Sequence, residues 1–135
     1  MNPEEAFAAI ALAAVACDGA LDHDEARSLR SQLECRQPYA RRTEESMGRL
    51  FDSLLDLLRS DGWRALVRRA IPALSSPQQE TALAMAAQLV HCDSVVDEEE
   101  LELLREMAGL MTLPPGRADL ILEVISILNR DSLAG

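Results

Sequence analysis

Cys17-Asp18-Gly19-Ala20-Leu21-Asp22-His23-Asp24-Glu25 returns in altered form as Cys92-Asp93-Ser94-Val95-Val96-Asp97-Glu98-Glu99-Glu100, displaced by 75 positions. Each copy follows an almost wholly apolar run and precedes an amphipathic one, so both read as the elbow of one helix-loop-helix unit used twice. Carboxylates stand at matched positions: Asp18, Asp22 and Glu25 in the first elbow, Asp93, Asp97 and Glu100 in the second. The repeat therefore bears on chemistry as well as on architecture, although it names no reaction.

The flanking sequence extends each elbow into helices. Asn2-Pro3 makes a capped start with proline at the first helical position, and Phe7 to Cys17 is apolar on every side, as a central buried helix requires. Gly19 ends it. Asp22 followed by Glu25 is a capping box that opens a second helix reaching about Cys35, with Leu29 and Leu33 as its buried stripe. Gln37-Pro38 breaks the chain, and Thr43 caps a third helix with Met47, Leu50, Phe51, Leu54, Leu55 and Leu58 on its inner face. Gly62 interrupts near Ser60, after which Trp63, Leu66, Val67, Ala70, Ile71 and Leu74 trace a fourth helix that Pro72 should kink or end.

The second unit repeats this plan. Ser76-Pro77-Gln78-Gln79 opens a fifth helix running to about His91, apolar nearly all round like the first. Asp97 and Glu100 form the second capping box, opening a sixth helix whose inner face reads Leu101, Leu104, Ala108 and Met111. Pro114-Pro115-Gly116 separates it from a seventh, for which Leu120, Ile121, Val124, Ile125 and Leu128 are expected to supply the core stripe. From Asp131 onward the chain should fray. The two apolar, alanine-rich helices are able to approach closely, so the first and fifth are expected to pair at the centre, related by a pseudo-twofold.

Composition agrees with an all-α fold. A length of 135 residues is that of one ordinary domain, so residues 1–135 are expected to form one. With only 3% aromatic residues the core must be aliphatic. Alanine is abundant and β-branched runs are few, which favours helix over sheet. A net charge of −10 argues against nucleic acid as a partner. The middle is nonetheless locally basic, and Arg64, Arg68 and Arg69 are candidates for docking an acidic protein partner, the alternative being solvated helix faces of mixed sign. Three widely spaced cysteines suggest a reducing compartment rather than a disulfide framework. Ala-Val-Ala-Cys17 loosely mimics a lipoprotein signal, but Glu4 and Glu5 stand where a positive flank belongs. A cytoplasmic protein is expected.

The elbows admit two readings. Asp22 and Asp97 as caps, with Glu25 and Glu100 three residues on, satisfy helix N-terminal donors, each cap being worth ~1 kcal/mol. Asp18 and Asp93 lie at the C-terminal ends of the preceding helices, where the macrodipole disfavours an anion by ~0.3–1 kcal/mol. Either loop amides or a bound cation would compensate. A calcium EF-hand is excluded in detail, because Ala20, His23 and Leu29 stand where the template wants an oxygen ligand, glycine and glutamate. A low-affinity Ca²⁺ or Mg²⁺ site held by Asp18, Asp22, Glu25, Asp93, Asp97 and Glu100 is the sharper reading, and structural loops without metal the plainer one.

Other chemistries find little support. His91 and Cys92 are adjacent helical residues pointing ~100° apart and make no dyad. Zinc lacks its usual ligand spacing, although Cys17 and Cys92 hold equivalent positions in the repeat. No glycine-rich phosphate loop, nucleophile elbow or zinc-protease motif is present, so no enzyme is expected.

The buried alanine-rich helix ending in Ala16-Cys17-Asp18-Gly19, then Leu21-Asp22 with Glu25, repeated as His91-Cys92-Asp93-Ser94, then Val96-Asp97 with Glu100, resembles the TerB family of tellurite-resistance proteins. Cys17-Asp18-Gly19 matches the usual Ala-Asp-Gly at two of three positions, whereas in the second elbow Cys92 replaces Ala and Ser94 replaces Gly, which weakens a carried-over role for Asp93. The resemblance implies about seven helices with pseudo-twofold organisation, occurring alone or fused to other modules such as the front of a DnaJ-type co-chaperone. It further implies a link to tellurite and other chemical stress, to phage and colicin resistance, and to metal-responsive signalling with a membrane-associated, transporter-like partner. It implies no catalysis.

Two functions follow as expectations. One is a non-enzymatic stress-response module whose acidic elbows bind a divalent cation or a protein partner. The alternative is an interaction scaffold or homodimer in which the elbows only cap helices.

Overall fold

A computed structural model describes residues 1–17, 21–91 and 96–135. Its helices are α1 (Pro3–Val15), α2 (His23–Glu34), α3 (Glu44–Ala70), α4 (Ser76–His91), α5 (Glu98–Leu110) and α6 (Arg117–Leu128), with short 3₁₀ turns at Tyr39–Arg41 and Ile71–Ala73. No strand occurs among the described residues. Among the described residues the expected seven helices become six because the third and fourth run on as one helical stretch, broken at Gly62, whose φ of 85° and ψ of 165° are not helical. Only glycine occupies that region at little cost. Pro72 acts as expected: the chain passes into the 3₁₀ turn at Ile71 and the helix stops.

Helix α1 is the centre. Asn2 caps it, accepting from the Glu5 amide at 2.8 Å while the Glu5 carboxylate accepts from the Asn2 amide at 3.1 Å. Ala6, Ala8, Ala9, Ile10, Ala11, Leu12, Ala13 and Ala14 are all buried, which small side chains permit because neighbouring backbones approach closely. Helices α3 and α4 pack on it most extensively, so the expected α1–α4 pairing is present, with α3 on another side of α1. The predicted fourth-helix stripe from Trp63 to Leu74 is buried throughout.

Two inner faces differ from expectation. In α5 the buried residues are Leu103, Leu104 and Met107, with Met111 after the helix, whereas Leu101 and Ala108 are half-buried. In α6 the face packed on the core is Ala118, Ile121, Leu122 and Ile125, and no α6 residue is fully buried. Leu120, Val124 and Leu128, expected in the core, are 53%, 51% and 67% exposed. The physical reason is that α6 carries two apolar faces and its main packing partner is one helix, α4.

Polar ties absent from any sequence pattern close the bundle. Buried Gln79 donates from Nε2 to the Ile71 and Leu74 carbonyls at 3.2 and 3.0 Å, and its Oε1 accepts from the Thr112 amide at 2.7 Å. One side chain thus joins the α3–α4 turn to the end of α5. Tyr39 donates to the Glu4 carbonyl at 2.5 Å, and Arg42 pairs with the Glu4 carboxylate, holding the turn after α2 against the start of α1.

Candidate acidic cleft

Both elbows deliver their second helix in the same way. Asp22 accepts from the Glu25 amide at 2.7 Å and Asp97 from the Glu100 amide at 2.8 Å. In return Glu25 accepts from the Asp22 amide at 3.1 Å and Glu100 from the Asp97 amide at 3.2 Å. The capping boxes read from sequence are present in full in both repeats, and each orients a carboxylate pair at the positive end of a helix.

These two helix ends face a common depression. Asp22, Asp24 and Glu25 from the start of α2, and Asp97, Glu99 and Glu100 from the start of α5, line one open cleft of about 590 Å³. Its remaining wall is Ala14, Val15 and Cys17 from α1 and its end, Ser28, Leu29 and Gln32 from α2, and Leu89 from α4. No basic side chain stands among the described lining residues. The packing of α1 on α4 brings the repeats together, so two loops far apart in sequence share a single depression.

Of the residues singled out by sequence, the structure gathers Asp22, Glu25, Asp97 and Glu100 here, while Asp18 and Asp93 lie outside the described residues. Gly19 and Cys92 lie outside them too, and with Cys92 the meeting of cysteines across the repeat. Asp24 and Glu99 were not singled out. The signal for them was available, since the same 75-residue offset that relates the caps relates Asp24 to Glu99. Among the described residues, no three or more His, Cys, Asp or Glu side chains converge closely enough to hold a metal ion by themselves.

The arginine candidates are arranged differently. Arg64 pairs with Glu102 and, at 3.2 Å, with Glu106, while Arg68 reaches Glu106 at 2.7 Å. The Arg64 guanidinium also lies 4.4 Å from the centre of the Trp63 ring. The carboxylates that Arg64 and Arg68 seek are thus supplied by α5 of the same chain, and among the described residues Arg69 of the three has no ion pair. The same contacts engage two of the acids of α5, Glu102 and Glu106. Cys35 is an exposed thiol at the end of α2.

An all-helical bundle built on a twice-used helix-elbow-helix, with paired acidic caps on a shared cleft, defines the class. The family model described as tellurite resistance protein TerB matches residues 4–123, nearly the whole chain, and the chain belongs to that family. No curated protein and no solved structure matches it. No helix among the described residues is long and apolar enough to cross a membrane.

Proposed function

We propose that this TerB-family chain is a non-enzymatic cytoplasmic stress-response module whose acidic cleft takes up a divalent cation, Ca²⁺ or Mg²⁺, and passes that state to a protein partner. The observation that carries the reading is that six acidic residues, three from each repeat, line one cleft with no basic residue in its described lining. Carboxylate oxygens suit hard divalent cations, which take six or more oxygen ligands and accept water among them. A tellurium oxyanion is repelled by such a surface, so direct capture of tellurite is not the role assigned to it.

The fit has a condition. The four capping carboxylates each give an oxygen to a backbone amide, and the described acids alone do not form a three-ligand cluster. The proposal therefore draws on the acids of both elbows, Asp18 and Asp93 as well as Asp22, Glu25, Asp97 and Glu100, with Asp24 and Glu99 strengthening the field. Bound cation would offset the mutual repulsion of the acids and draw the two elbows together.

Titrating Ca²⁺ or Mg²⁺ into metal-free protein while recording amide chemical shifts tests this. Movement confined to Asp18–Glu25 and Asp93–Glu100, lost when Asp18 and Asp93 are changed to Asn, is the expected result. Silence there at millimolar metal would overturn it. It would leave the scaffold reading, in which both capping boxes serve only to cap their helices.

A further inference from the structure

The starts of α1 and α4 and the turn after α2 enclose a second concavity, of about 660 Å³, whose described lining shares no residue with the acidic cleft. That is the size of a small-molecule site. Its apolar wall is Phe7 and Leu74 with Pro3, Pro38 and Pro77, and the Phe7 ring leans on Tyr39 with 6.2 Å between ring centres. Rings and prolines have little side-chain freedom to lose, so such a wall stands ready before a ligand arrives.

The polar wall offers donors. The Arg36 guanidinium lies 5.6 Å from the centre of the Phe7 ring and, among the described residues, has no carboxylate partner, unlike Arg42 six residues on, which Glu4 holds. Asn2 and Gln78 each spend the side-chain oxygen on a helix start, accepting from the Glu5 and Ser75 amides at 2.8 Å, which leaves each an NH₂ group to donate. The one acid of the described lining is Glu4, the partner of Arg42. Helices α1 and α4 also begin at this pocket and end at the acidic cleft, so their dipoles run in the same sense with the positive ends here. A single unmatched guanidinium beside a rigid apolar wall fits one planar anion on an apolar body, and a dianion would set its second charge against Glu4. We propose that this pocket binds a small organic monocarboxylate, its carboxylate on Arg36 and its aromatic or branched aliphatic body against Phe7, Leu74 and the prolines.

Amide chemical shifts of the full chain, recorded during titration with phenylacetate, hydrocinnamate and isocaproate, test this. At least one acid should move Phe7, Arg36, Tyr39 and Thr81 saturably at millimolar concentration while the amides of α5 and α6 stay still. The uncharged primary amide of that acid should bind about tenfold more weakly, and so should the acid itself in Arg36→Gln, the loss of one charge-assisted bond. Arg36 is exposed, so its replacement should leave helical circular dichroism unchanged. Arg41→Gln removes an exposed arginine of the same turn that lies outside the lining, and should bind as wild type does. No acid of the cleft takes part, so the outcome does not depend on whether a cation binds there. No saturable movement with any of the three acids, equal binding of the uncharged amide, undiminished binding in Arg36→Gln, or equal weakening in Arg41→Gln would each overturn the proposal.

Discussion

Asp22 and Asp97, 75 residues apart in sequence, cap the second helix of their respective repeats and line the same cleft. A carboxylate that caps a helix is doing a structural task whether or not it also meets a cation, and the two tasks are separable by substitution. Asparagine caps as well as aspartate but carries no charge.

Asp97→Asn should therefore cost only a few tenths of a kcal/mol, and Asp97→Ala about 1 kcal/mol, in urea unfolding of the metal-free protein. The same ordering should hold at Asp22. Equal loss in the Asn and Ala variants would mean that charge rather than the cap bond carries the stability.

Gln79 satisfies three backbone groups contributed by the α3–α4 turn and the end of α5. Gln79→Leu keeps the apolar bulk and removes every one of those bonds. A loss of about 2–3 kcal/mol is expected, since buried partners left unmatched cost more than the bond itself is worth. An unchanged urea midpoint would show that water replaces the amide without penalty.

Gly62 and Gly48 should respond to alanine with opposite signs. A side chain at either position meets nothing within 4 Å, so space does not distinguish them. Backbone does: Gly62 sits at φ +85°, whereas Gly48 is inside regular α3. Gly62→Ala should destabilise by about 1–3 kcal/mol and Gly48→Ala stabilise by about 0.5–1 kcal/mol, read as shifts of the thermal midpoint.

Tyr39 is the one tyrosine of the chain, which makes its titration visible by ultraviolet absorbance. Burial first, and then the nearby Glu4 carboxylate, push its hydroxyl well above the usual phenol range. A raised folded-state pKa gives stability that is complete below about pH 10, the unfolded value, and lost as pH rises toward the folded one. Alkaline unfolding should begin above about pH 10. In Tyr39→Phe that onset should disappear, with lower stability at neutral pH because the bond to the Glu4 carbonyl is gone. A phenol titrating at its ordinary value in the folded protein would refute this.

Much of the architecture was legible because caps and breakers act locally. Asn2, Asp22, Thr43 and Asp97 each begin a helix where the sequence placed it, and Gly62 and Pro72 interrupt where they should. What was not legible is what depends on neighbours. Periodicity showed that α6 is apolar but not that its partner covers only the Ile121 and Ile125 side, and it shifted the α5 face by a residue or two. Nor does spacing reveal that Gln79 is buried, since a glutamine between Gln78 and Glu80 looks like a solvated position. The acids at the elbows were read as related features; their meeting in one cleft required the packing of α1 against α4.

Part of the lining of that cleft is hydrocarbon: Ala14, Val15, Leu29 and Leu89 share it with the carboxylates. Low-dielectric material behind a group of like charges pushes field lines out through the mouth instead of letting them spread into the body of the molecule. The negative potential accordingly reaches farther into solvent than the side chains do. A cation that binds as proposed would be drawn toward the opening before any oxygen touches it, so dilute buffers should hasten its arrival and added salt should slow it, largely independently of how long it stays.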